Sequence, residues 1–340
     1  MKIFGLSAET SYILDPVAPA MSSSMTHALV ERFKQSSRGR HRFCFHQNPE
    51  VDLHDIIICY DKRSYIPPNK HIGKVESLLV LQGALDFFLF SDSGTVYDYR
   101  RLSAEDENCP FFLRVPPNTW HGLRAVGDLP CIVKETISGP YDQSSLQWAP
   151  YAPSEAEGSS EGHNWYNGVA AYCQKHNISS PEEEAFAQIS SNVFRSSRQL
   201  VTISRRQMEP VIKAAEESVL SRARVCCHGG PEDKLQEMFI ALTREVDIAE
   251  SMHLRKDESL TVVEGNGRYI FPNEDGSTRS EISLAQYSKD CSNEKSFYAR
   301  INRYVPHKIV VDSPFLLIHE ATTGPFRKDE TDYRIKRADQ

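Results

Sequence analysis

The sequence has 340 residues, 25% charged and 40% hydrophobic, with 17 Gly and 19 Pro. At roughly 100–200 residues per domain this provides for two domains, each able to bury a core, and the ordinary apolar share excludes wholesale disorder and a collagen-like chain. A formal net charge of −7 and a pI near 6.0 argue against a general nucleic-acid binder and against a polybasic membrane-surface protein.

The opening residues, Met1-Lys2-Ile3-Phe4-Gly5, lack the long apolar core of a secretion signal, and no run of about 18 apolar residues follows. A cytoplasmic location with reduced, mostly buried thiols is therefore expected. None of Cys44, Cys59, Cys109, Cys131, Cys173, Cys226, Cys227 and Cys291 forms a C-x-x-C pair, which argues against a zinc ribbon or a thioredoxin-like site.

Leu29, Val30 and Phe33 predict a first helix. Strands are predicted from Leu53 to Tyr60, from Glu76 to Gln82 and over Phe87-Phe88-Leu89-Phe90, the last running into a Ser91-Asp92-Ser93-Gly94 turn. Ser154 to Ser160 is polar and acidic and reads as a linker. A short helix is predicted after it, capped by Ser180-Pro181, with Glu182, Glu183 and Glu184 in its first turn and Phe186, Ile189 and Val193 as its buried stripe. Met208, Val211, Ile212, Ala215 and Val219 predict a further helix. Tyr269-Ile270-Phe271 then repeats the strand-and-turn pattern before Asn273-Glu274-Asp275-Gly276.

These resemblances between the halves share one register. A shift of 182 positions lays Arg42-Phe43-Cys44-Phe45-His46 on Arg224-Val225-Cys226-Cys227-His228. Without a gap it also pairs Pro49 with Pro231, His71 with His253, Lys74 with Lys256, Glu76 with Glu258, Gly83 with Gly265 and Gly94 with Gly276. The period is far too long for a solenoid, so the chain reads as a duplicated domain in which each copy is a complete fold. Short strands with regular turns suggest an antiparallel barrel or double-sheet jelly roll. The expected organisation is a first domain over 1–152, a linker with a short helix over 153–199 and a second domain over 200–340.

Each copy carries the same candidate ligands. Asn69-Lys70-His71 precedes Lys74-Val75-Glu76 in the first, and Pro116-Pro117-Asn118-Thr119-Trp120-His121 follows. The second has Ser251-Met252-His253, Lys256-Asp257-Glu258 and Asn302-Arg303-Tyr304-Val305-Pro306-His307. On one straight strand His71 and Glu76 would face opposite ways, so a turn around Ile72-Gly73 is needed to bring them together. With His121 arriving from a distant strand, two imidazoles and one carboxylate converge. That set suits Fe(II), Mn, Zn or Ni and leaves positions open for substrate or dioxygen.

His71, then Glu76, then Gly83 seven residues on, resembles the first motif of the cupin superfamily. Pro116-x-Asn118-x-x-His121 resembles the second, with Asn in place of the usual Gly. The wider string is similar to WbuC-type cupin-fold metalloproteins: Arg42-x-Cys44-x-His46, Lys74-x-Glu76-Ser77, Pro116 to His121 and Glu135-Thr136-Ile137-Ser138-Gly139-Pro140. In the second copy it is Arg224-x-Cys226-x-His228, Lys256-x-Glu258-Ser259, His307 and Glu320-Ala321-Thr322-Thr323-Gly324-Pro325.

The resemblance implies an all-β chain of two tandem cupin barrels (double-stranded β-helix, or jelly roll) with short flanking helices. It also implies a metal cofactor and a link to surface polysaccharides; the two-His-one-carboxylate set favours Fe(II) over Mn, Zn or Ni. In that pattern the first motif has two histidines. Here the first of them is Asn69 or Ser251, and the Pro-x-Gly-like turn before His307 is lost.

The metal ligands expected are thus His71, Glu76 and His121, with Asn69 as a weak amide donor, and His253, Glu258 and His307. Lys74, Trp120, His46, Lys256 and His228 are candidate substrate-binding residues, and no catalytic residue is singled out. His46 and His228 are also readable as structural, and Trp120 and the two cysteines Cys44 and Cys226 as packing. The leading expectation is a metal-dependent bicupin enzyme acting on a small polar substrate, its metal serving as a Lewis acid or, as the two-His-one-carboxylate set fits better, as non-haem Fe(II) in oxygenase chemistry. The alternatives are a non-catalytic sugar or metabolite binder and a metal-free sugar-nucleotide isomerase or epimerase. Neither a nucleic acid nor a membrane is expected as a partner, and a homodimer is left open.

Overall fold

The fold comes from a computed structural model that describes residues 2–333 except 8, 16, 158, 180–184, 291–293, 328 and 330. Among the described residues the strands of the first half form two facing sheets. One runs Lys2–Ser7, Thr10–Leu14, Arg40–Cys44, Leu53–Tyr60, Cys131–Ser138, Glu76–Gln82, Phe112–Val115 and Val201–Ile203. The other runs Leu146–Trp148, Asn69–His71, Trp120–Val126, Ala84–Phe90 and Val96–Ser103. Their inner faces bury Leu78, Val80, Phe87, Leu89, Leu113 and Val133 as one core. At about 1.5–3 kcal/mol per buried large apolar side chain, this sandwich of alternating residues supplies the main stabilisation.

Gly83 turns the chain from one sheet into the other with φ +75°, and Gly265, at φ +91°, bends the matching strand of the second half. A Cβ on Gly265 would lie 2.3 Å from the Phe315 carbonyl oxygen, so both the dihedral and the space require glycine. In the second half the strands stay continuous through this bend as Glu258–Pro272 and Lys308–Thr323, with bulges between Val262 and Glu264 and between Gly265 and Gly267.

The two expected helices are present as Thr26–Gln35 and Glu209–Glu217. Leu29, Phe33, Val211 and Ala215 are buried, whereas Val219 lies past the helix end and is fully exposed. The expected helix near 180 is not found in the described residues. Ser180, Pro181 and Glu182–Glu184 lie outside them, while Ile189 and Val193 sit in a hairpin of Ala187–Ser190 and Val193–Arg195. Val193, Phe194 and Arg195 pair in parallel with Arg224–Cys226, so strand pairing overrides the helical spacing there. The helix between the halves is instead Ser159–Lys175, beginning inside the segment read as a linker. It covers the first half's smaller sheet with Trp165, Tyr166 and Val169 against Phe88, Phe90 and Trp120.

The halves exchange strands. Val201–Ile203 pairs with Phe112–Val115 of the first half, Leu113 opposite Thr202; Ala20–Ser22 pairs with Ser296–Ile301 of the second, Ala299 opposite Ala20. Two related buried charge clusters cross the same boundary. Asp55 accepts from Arg300 Nη1, Thr136 Oγ1 and Ser259 Oγ, each at 3.1 Å, with Lys134 Nζ also at 3.1 Å. At the matching position Glu237 accepts from Arg114 and Ser77, and His319 Nε2 lies 3.4 Å away. Burial works to raise both carboxyls, but the cations beside them outweigh it, and Glu237 is held at about 2. No helix of the described residues is long and apolar enough to cross a membrane.

Candidate metal centres

His71 and Glu76 come from different sheets. His71 ends the short strand Asn69–His71 of the smaller sheet, whose residue Asn69 pairs with His121, and Glu76 opens Glu76–Gln82 of the larger one. The turn between them is fixed by Asn118. Its side-chain Oδ1 accepts from the Gly73 N–H at 3.1 Å, and its own N–H donates to the His71 carbonyl at 2.9 Å. The alternation problem of a single strand is thereby removed. Glu76 Oε2 lies 2.9 Å from His121 Nε2 and 3.4 Å from His71 Nε2.

The second centre repeats this geometry. Glu258 Oε2 lies 2.8 Å from His253 Nε2 and 3.8 Å from His307 Nε2. In both triads the candidate ligand atoms lie within 4.8 Å of one another. The turn before His307 survives, contrary to expectation. Tyr304 adopts φ +66° where Asn118 adopts +62°, and its N–H donates to the His253 carbonyl at 2.7 Å as Asn118's does to His71. Sequence reading missed this because a tyrosine in the left-handed region is strained, whereas asparagine and glycine are at ease there.

The distal histidines are oriented alike. His121 Nδ1 lies 2.9 Å from the Thr119 carbonyl and His307 Nδ1 2.9 Å from the Val305 carbonyl, so the Nδ1 protons are taken up by backbone and the Nε2 atoms face the centre. Burial works to raise Glu76, but the adjacent His121 and His71 outweigh it and hold the carboxyl at about 2. Glu258 is likewise held at about 2, by His253 and His307 against its burial. Burial lowers His71, whereas Glu76 beside His121 raises the latter despite its burial. Asn69 Oδ1 is buried with no hydrogen-bond partner among the described residues. Two imidazole nitrogens and a carboxylate oxygen form a donor set that fits a divalent ion, and Asn69, two residues before His71 and so on the same strand face, carries a buried partnerless amide oxygen.

The family model described as Domain of unknown function (DUF6016) matches residues 21–102 and again residues 203–284, the second match lying 182 residues after the first. No curated protein matches the sequence. Among solved structures, a single-residue variant of salicylate 1,2-dioxygenase from Pseudoaminobacter salicylatoxidans aligns over 98% of this chain and 91% of its own, with 14% identity and a TM-score of 0.61. The adducts of that dioxygenase with gentisate align over 94% and 85%, with 13% identity and a TM-score of 0.60.

The fold is a tandem cupin. In this bicupin the five candidate substrate-binding residues lie outside the two triads. Trp120 alternates with His121 along one strand and so faces the other side of the sheet, where Nε1 donates to Asp92 at 2.9 Å and Lys70 caps the ring. It packs under the interdomain helix, which favours the packing reading of Trp120 over the substrate-binding one. Lys74 donates to the Pro140 carbonyl, and Lys256 lies over the Phe326 ring at 4.5 Å, so both stand at the Gly-Pro turns. The Nδ1 atoms of His46 and His228 lie 3.3 Å and 3.0 Å from the backbone carbonyls of Asp55 and Glu237, which favours their structural reading. Cys44 and Cys226 are buried.

Further groups of the bicupin centres escaped the sequence reading. Glu135 pairs with Leu78 and Ile137 with Glu76, which places Glu135 diagonally across from Glu76 on the same face. Glu320 is placed in the same way relative to Glu258. Burial and then the neighbouring carboxylate push each up to about 8. Their signal was the repeated Glu-x-x-x-Gly-Pro string, read only for its likeness. Tyr269 and Thr331 also touch the second centre, and nothing in spacing announced them.

Proposed function

We propose that this bicupin is a metal-dependent enzyme acting on a small polar substrate, with Fe(II) favoured and oxygenase chemistry. The observation that carries the reading is the pair of His-Glu-His triads, each facing a barrel interior. In the first centre His71 Nε2, His121 Nε2 and Glu76 would hold the ion, with Asn69 Oδ1 as a fourth donor. When bound, the ion supplies a Lewis acid able to engage dioxygen and a chelating substrate at its open positions.

The chain's own residues prepare that centre. The Thr119 carbonyl keeps the His121 Nδ1 proton outward, and the Phe87 ring stacks on His121 at 5.5 Å and 11°, shielding it from water. Glu76 is ionised and ready to bind a cation. The structural likeness to a dioxygenase crystallised with gentisate makes hydroxylated aromatic carboxylates the first substrates to test. The WbuC-like strings add sugar derivatives to that panel.

The test is metal analysis of protein expressed with iron supplied, followed by oxygen uptake with gentisate, salicylate and sugar derivatives. Iron at the centres and substrate-dependent oxygen uptake are expected. Protein that stays metal-free under these conditions would overturn the reading.

A further inference from the structure

The two centres differ in what stands behind their ligands. Phe87 of the first half corresponds to Tyr269 of the second, and the exchange adds a hydroxyl that donates to Glu258 Oε1 at 2.7 Å. The ring also turns, from stacked on His121 at 11° to edge-on to His307 at 84°. Glu258 Oε2 stays pointed at the two histidines, so Tyr269 holds the outer oxygen and leaves the inner one to the centre.

A second exchange acts on the other ligand. Leu146 pairs opposite His71, whereas Thr331 pairs opposite His253, and its Oγ1 lies 3.1 Å from His253 Nδ1. With the Val305 carbonyl on His307, all three ligands of the second centre have their outward atoms bonded to a partner. In the first centre His121 has such a partner, and Asn69 supplies an extra buried oxygen. Ser251 stands at the position of Asn69 in the second half.

We infer that Tyr269 and Thr331 are positioning residues that make the second centre a three-ligand metal site, whereas the first relies on Asn69 as a fourth donor. This rests on the reading of both triads as metal centres. Hydrogen bonds to the far side of metal ligands fix their orientation, and an acceptor on an imidazole N–H also raises that ligand's basicity; losing one typically costs 10–100-fold in metal affinity. The second half thus offsets its missing donor with outer support.

The test uses the full-length chain with one centre disabled at a time and Co2+ alone as probe, read by calorimetry and by the visible absorption of the bound ion. In the His71→Ala/His121→Ala protein, Tyr269→Phe and Thr331→Val should each weaken Co2+ binding about 10–100-fold, and Thr331→Ser should restore it. In the His253→Ala/His307→Ala protein, Tyr269→Phe should leave Co2+ affinity unchanged, and Asn69→Ala should weaken it. A general loss of structure would move both proteins. If both single-centre proteins bind Co2+ and Tyr269→Phe and Thr331→Val stay within twofold of their parent, the inference falls while the metal reading stands. If neither single-centre protein binds Co2+, the metal reading falls and takes the inference with it.

Discussion

Arg300 of the second half donates to Asp55 of the first at 3.1 Å, and both side chains are wholly removed from solvent. Arg300 also donates to Asp257 at 2.9 Å, so one guanidinium ties a carboxylate from each half. Removing one member of a buried ion pair strands the others without water. Asp55→Asn and Arg300→Met should each destabilise the protein by roughly 3–5 kcal/mol, measured by denaturant unfolding. The double variant should lose less than the sum of the two.

Metal content separates the centres. The wild-type chain should take up two divalent ions, Glu76→Gln or His121→Ala one, and the combination with His307→Ala none, by elemental analysis of the dialysed protein. Circular dichroism should be unchanged, because the triads are a small part of each barrel's buried surface.

The acid limb of stability should come in part from His46. Its pKa falls to about 3 through burial, with His54 and Arg300 adding to it, while the ordinary value of 6.5 applies once the chain unfolds. The unfolded chain therefore binds the extra proton first. Stability from neutral His46 is fully present above about pH 6.5 and is lost as pH falls toward 3. A thermal-midpoint series should show a shallower acid slope for His46→Gln.

Glu135 gives the opposite slope in metal-free protein. Its carboxyl titrates near 8 when folded and near the ordinary 4.5 when unfolded, so the folded chain holds the proton longer. That contribution is fully present below about pH 4.5 and is lost as pH rises through 8. Glu135→Gln should flatten the thermal midpoint over that range.

Tyr304 offers a gain. It is largely exposed, with φ +66°, and its ring is not what the turn requires. Tyr304→Gly should raise stability by up to about 1 kcal/mol, since a non-glycine residue pays roughly 1–2 kcal/mol in that region and glycine returns part of this as chain entropy. An unchanged or lower thermal midpoint would show that the tyrosine ring contributes more than its backbone costs.

The duplication, the barrel class and the six His and Glu residues of the triads were legible because they recur at a fixed spacing in residue types with few other uses. What spacing could not show was partnership across distance. Asp55 and Glu237 sit in mostly apolar strands, and only the folded chain brings Arg300 and Arg114 from the opposite half to meet them. Thr331 became part of a centre through the pairing of a three-residue strand. Ile189 and Val193 had helical spacing, but the open edge of Arg224–Cys226 recruited their segment as strand. Trp120 offers both a substrate-binding and a packing reading in sequence, and only strand alternation against His121 separates them.

The exchanged strands Ala20–Ser22 and Val201–Ile203 mean that each half supplies an edge strand to the other's sheet. The two halves are interlocked in the manner of a strand-swapped dimer whose subunits share one backbone. A cut between them would release no free half, and a centre could lose its chemistry while its barrel stayed indispensable to the other.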